Sequence, residues 1–100
     1  MSKIIISPGF GGGFIGEFHH RFDPVLIECL EKMPKAKKNE RDKLCDLMVA
    51  RFYQLDVSAS KAQCLDLSLA DIESGTKFMI EEYDGAEYII RESDLVHIAP

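Results

Sequence analysis

The chain has 100 residues, 46% of them apolar and 29% charged, and a net charge of −5. That length supports one domain (1–100) with a modest core and excludes large multi-domain catalysis. No apolar stretch reaches the length of a bilayer span, and an acidic surface does not release counterions from a phosphate backbone, so neither membrane insertion nor direct nucleic-acid binding is expected. Cys29, Cys45 and Cys64 are odd in number, widely spaced and embedded in apolar patterns, which predicts buried free thiols rather than a disulfide framework. The apolar run after Met1-Ser2-Lys3 is too short for a signal peptide. The expected compartment is the cytoplasm.

Lys3 to Ser7 reads as a short buried strand, stopped by Pro8-Gly9 because proline cannot donate to a ladder. Five glycines then fall between Gly9 and Gly16. Gly11-x-Gly13-x-x-Gly16 formally matches a dinucleotide fingerprint, yet nothing after it supplies the crossover helix, second parallel strand and acidic ribose ligand. Two readings of the loop stand open. In one, the glycines allow close packing under Phe10, Phe14, Ile15, Phe18 and Phe22, which anchor the segment on the core. In the other, backbone N–H groups from Gly11, Gly12, Gly13 and Phe14 cradle an anionic ligand, and His19, His20 or Arg21 adds positive charge.

Asp23-Pro24 starts a helix, because Asp accepts the orphan N–H groups and Pro pre-sets φ at the first position. The helix runs to about Met33 and buries Leu26 and Leu30. Lys35, Lys37 and Lys38 then suit its negative C-terminal end and read as a solvated connection. A second helix from about Asn39 carries Leu44, Leu47, Met48, Phe52 and Leu55 at helical spacing, interrupted by Arg51. Leu44, Leu47, Met48 and Phe52 are the expected core. Val57 to Ala62 is a small-residue connector.

From Cys64 the period changes to two, with Leu65, Leu67 and Leu69 alternating with polar or small residues, as in a half-buried strand. Lys77 to Tyr83 and Glu87 to Arg91 flank Asp84-Gly85, whose positive-φ preference predicts a tight hairpin. Leu95 to Ile98 forms a last short strand. The expected fold is α+β, a mainly antiparallel sheet with two helices on one face, in the order β-α-α-β-β-β(-β).

Assembled in this order, Ile4-Ile5-Ile6 with Gly12-Gly13-Phe14, Arg21-Phe22-Asp23-Pro24 through Glu31, and Gly75-Thr76-Lys77-Phe78 into Glu82-Tyr83-Asp84-Gly85-Ala86-Glu87 form a recognisable combination. The chain resembles a family of small bacteriophage proteins that share this loop, helix start and hairpin. The resemblance covers both ends of the chain and leaves Lys35 to Gln63 without a counterpart. It implies a phage accessory protein and transfers no catalytic residue.

Chemistry-bearing clusters are few. Glu17, His19, His20 and Asp23 hold metal-ligand side chains, but adjacent histidines on an extended segment point apart, and no metal or cofactor is expected. His97 reads as structural or surface-lying. Ser7 lacks a nucleophile elbow and the thiols sit in apolar stripes, so no catalytic residue is assigned. Glu82, Tyr83, Asp84, Glu87 and Tyr88 form an aromatic-acidic patch suited to a basic partner. The expected function is a phage-encoded, non-enzymatic binding protein that counters host defence, by sequestering a nucleotide signal or by blocking a host protein. The alternative is a small enzyme acting on a nucleotide or phosphate ester, with His19 or His20 as acid/base. A nucleotide-sized site is easier to build between copies than within one small chain, so a homo-oligomer is expected.

Overall fold

β1 (Ser2–Ile6) opens the chain, followed by a 3-10 turn at Phe18–Phe22, α1 (Pro24–Lys32), a second 3-10 turn at Met33–Lys35, and α2 (Lys38–Gln54). Then come α3 (Lys61–Leu65), β2 (Ser68–Ile72), β3 (Phe78–Tyr83) and β4 (Ala86–Arg91). This architecture is α+β, with helices packed beside antiparallel strands. It is taken from a computed structural model that describes residues 2–9, 14–73, 77–83 and 85–91. The Gly11–Gly13 loop, Asp84, His97 and the expected strand Leu95 to Ile98 lie outside the described residues.

α1 begins as its chemistry predicts. The Asp23 carboxylate accepts the Leu26 N–H at 3.1 Å, with Pro24 in the first position. Arg51 on α2 also donates to Asp23, its Nη2 lying 2.7 Å from Oδ1. One carboxylate therefore caps α1 and ties it to α2, which explains the charged interruption on the apolar face of α2. The Arg51 hydrogen bond, aided by the Leu26 N–H and against the effect of burial, holds the Asp23 carboxyl below its ordinary value.

The strands form two ladders rather than the one continuous sheet expected. β1 pairs antiparallel with β2, Ile5 opposite Leu69, and β3 pairs with β4, Glu82 opposite Glu87. Pro8 explains the break, because it directly follows Ser7, the residue beyond β1 that meets β4, and has no N–H to donate. Among the described residues, the backbone-to-backbone hydrogen bond between the ladders is made at Ser7, whose carbonyl accepts the Glu87 N–H at 2.8 Å.

The core gathers Ile5, Leu26, Leu30, Leu44, Met48, Phe52 and Leu67 with all three cysteines. Full burial of each large apolar side chain contributes about 1.5–3 kcal/mol. Leu47 departs from expectation and is 57% exposed. Cys45 takes its place, because the buried set 44, 45, 48 and 52 centres the stripe on the other side of Leu44. Phe14 and Ile15 pack against the core as expected, whereas Phe18 and Phe22 are exposed and stack edge to face on each other at 5.7 Å.

Cys64 and Leu65 are helical rather than extended. Ser60 Oγ accepts the Gln63 N–H at 3.1 Å and Gln63 Oε1 accepts the Ser60 N–H at 2.9 Å, a reciprocal cap that starts α3. The strand then begins at Ser68.

The thiols are buried and free. Burial pushes the Cys64 thiol up to about 11 and raises Cys29 and Cys45 as well. None of the three should react with a disulfide reagent at neutral pH in the folded protein, and all three should react in denaturant, as a colorimetric thiol titration would count. Rapid native labelling of any one would contradict the packing described.

The end of α2 holds one strained residue. Asp56 adopts φ 62°, and the Val57 N–H reaches back to the Phe52 carbonyl at 2.8 Å while the Asp56 N–H meets that of Tyr53 at 3.0 Å. This is a left-handed helix stop in which glycine costs least. Asp56→Gly should therefore stabilise the fold by about 0.5–1 kcal/mol in urea titrations, and Asp56→Val should lower it.

Candidate functional site

A buried ion pair holds the hairpin to the body of the protein. Arg21 Nη1 donates to Glu87 Oε1 at 2.9 Å and Nη2 to Oε2 at 2.6 Å, a bidentate fork. Nη1 also donates to the Ile5 carbonyl at 2.9 Å, and the Ser7 N–H donates to Glu87 Oε1 at 2.8 Å. The Phe14 ring covers the guanidinium, with Arg21 Cζ 4.5 Å from its centroid. Among the described buried side chains, Arg21 Nε is left without a hydrogen-bond partner.

Burial pushes the Glu87 carboxyl up, but hydrogen bonds from Arg21 and the Ser7 N–H, the guanidinium charge and the Phe14 N–H together outweigh it. The group is held below its ordinary 4.5. A carboxylate held ionised by these three groups is a strut rather than an acid/base catalyst.

This geometry reassigns two expected surface residues. Arg21 was expected to lend charge to a ligand at the glycine loop, but it is buried and neutralised by Glu87. Glu87 was expected on the exposed patch, but strand alternation turns it inward while its neighbour Tyr88 faces out, 48% exposed. Tyr83, at 70% exposed, shares the outer face with Tyr88 and Met79, and Glu82 is exposed near the hairpin end. Gly85 supplies the positive φ, 85°, that the turn needs.

The histidines stand on a 3-10 turn, which brings their rings to 4.2 Å between centroids instead of pointing them apart on extended chain. His20 is buried, and its Nδ1 accepts the Glu17 N–H at 3.0 Å, which places the proton of the neutral ring on Nε2. His19 is exposed, with Nδ1 3.5 Å from the Glu17 carboxylate. Gly16 sits so close beneath Phe14 and His20 that an added Cβ would lie 2.9 Å from each. This glycine serves packing.

A cleft of about 590 Å³ runs past Gly16, His19 and His20 to Asp56 and Ser58. Its described rim carries the carboxylates of Glu17 and Asp56 and no ammonium or guanidinium group. A phosphate entering it meets repulsion from both, and only His19 offers it an exposed basic ring. Among the described residues, no group of three or more His, Cys, Asp or Glu side chains is arranged to hold a metal ion. No helix among them is long and apolar enough to cross a membrane.

The inward Glu87 carries the one sequence signal that points to the anchor. A carboxylate on the same strand face as Ile80 and Ile89, turned to the buried side, demands a buried cation. Comparison with known proteins found no matching protein family, no matching curated protein and no matching solved structure.

Proposed function

We propose that this protein is a non-enzymatic binding protein that acts through the outer face of the β3–β4 hairpin, covering a basic and partly apolar surface of a host protein. One observation carries the reading: Met79, Tyr83 and Tyr88 stand exposed on a hairpin whose opposite face is fixed by the buried Arg21–Glu87–Ser7 network. An isolated two-stranded hairpin is marginal in water, so a buried anchor beneath a large aromatic surface favours preorganised recognition. Tyr side chains give large contact area for little conformational entropy, and Glu81 on the same face, opposite Tyr88, favours a cationic partner.

The resemblance to bacteriophage proteins makes a host defence component, met in the host cytoplasm, the natural target. Sequestration of a nucleotide signal is the less favoured variant, because Arg21 is occupied and the cleft beside the histidines has an acidic rim.

A plaque assay in bacteria carrying a phage-restricting defence system tests the proposal. Expression of the parent chain should restore plating, and the folded double variant Tyr83→Ser/Tyr88→Ser should not. Equal rescue by both would remove the hairpin face from the mechanism. Calorimetry with cyclic dinucleotides and ADP-ribose-type signals runs beside it, and tight binding to the parent would move signal sequestration to first place.

A further inference from the structure

We propose that this face also seats on a second copy of the chain, entering an apolar groove at the opposite charge pole and joining copies head to tail. The inference rests on reading the hairpin's outer face as a recognition surface. The groove, about 490 Å³, is lined by Leu30, Met33, Leu65 and Leu67 together with Lys3 and Arg41. Leu65 is 58% exposed, an apolar lip that the α3 cap holds in place. Lys3 is paired with Glu31 at 3.8 Å, while the Arg41 side chain has no ion-pair or hydrogen-bond partner among the described residues.

Charge along the chain is strongly divided. Residues 32–43 hold six of the 12 Lys and Arg residues against two carboxylates. The hairpin presents Glu81 on the same face as Tyr83, Tyr88 and Met79. Each surface thus has what the other lacks: aromatic and thioether groups with a carboxylate on one, an aliphatic trough with an unpaired guanidinium on the other. Because the two patches are different, the contact is heterologous and joins copies head to tail, as an open chain or a ring, rather than as a two-fold dimer with one self-complementary patch. A chain of copies leaves one hairpin free at one end, and the hairpins within it are hidden from any host partner.

Sedimentation velocity over a wide concentration range is the test, with Glu81→Lys and Arg41→Glu as the variants. Arg41 is exposed and Glu81 half-buried on the outer face of the hairpin, and circular dichroism confirms that each variant is folded. The parent should gain mass with concentration, continuing past dimer. Each reversal should weaken association about tenfold or more. An equimolar mixture of the two variants should recover association that continues past dimer, because the intact hairpin of one meets the intact groove of the other and the two reversed surfaces again carry opposite charges. A parent that stays monomeric throughout overturns the proposal. So does association that neither reversal weakens, or a mixture that fails to recover. The plaque assay decides the host-partner reading separately, since it depends on the hairpin alone and not on Arg41.

Discussion

Glu87→Ala should destabilise the protein by about 3–5 kcal/mol, because it strands a guanidinium in the interior. The variant leaves Arg21, 8% exposed, without its bidentate partner, and the Ser7 N–H without its acceptor. For a domain of this size, total stability is on the order of 5–15 kcal/mol, so the loss is a large fraction of the whole and urea melts should show a much lower midpoint. The double variant Arg21→Met/Glu87→Leu should recover most of the loss, since replacing both charges with apolar groups of similar volume is often neutral or stabilising. Recovery marks the pair as a device of geometry rather than of net stability. A Glu87→Ala loss below about 1 kcal/mol would mean that the pair is solvated in solution.

The same group sets part of the acid response. Folding lowers the Glu87 carboxyl below 4.5, and Asp23 is lowered likewise through Arg51. Groups depressed on folding contribute stability that is present above their unfolded values and lost as pH falls through the folded ones. Stability should therefore hold from neutrality to about pH 4.5 and fall below it, and Glu87→Gln should flatten that fall.

Local chemistry was well written into the sequence. Asp23-Pro24, the Asp84-Gly85 pair and the stripe of Leu44, Met48 and Phe52 each act within a few residues, and the helix start, the hairpin pairing and three core positions follow from them. Around Cys64 two local signals compete. The alternation of Leu65, Leu67 and Leu69 reads as strand, while Ser60 and Gln63 have the spacing of a reciprocal cap, and the cap prevails up to Leu65 because it satisfies two N–H groups at the helix start. The anchor is a different matter. Arg21 and Glu87 lie 66 residues apart, and no periodicity links a 3-10 turn to a strand register. Charge next to glycine made Arg21 look like a ligand group, and charge next to tyrosine made Glu87 look like a surface group. Burial reverses both readings, and burial is set by the whole fold.

Phe52→Ala is the companion test of the core and should cost about 3–5 kcal/mol. The ring is fully buried, 0% exposed, and lies 6.1 Å from Phe14, whose own ring covers the Arg21 guanidinium. Removing it opens a cavity on one side of Phe14, and the neighbours, themselves packed, can relax only in part. Leu47→Ala on the same helix, 57% exposed, serves as the contrast and should change stability by no more than about 0.5 kcal/mol. Were the two variants to melt alike, the stripe assigned to α2 would be wrong. The stack Phe52–Phe14–Arg21 adds a sharper consequence, since a Phe14 ring released from below covers the buried guanidinium less well. Phe52→Ala and Glu87→Gln should then be non-additive, with a coupling of about 0.5 kcal/mol or more in a double-mutant cycle, whereas Leu47→Ala and Glu87→Gln should add. Additivity in both cycles would show that the hairpin anchor and the helical core are energetically separate, and that the anchor depends only on the groups that touch it.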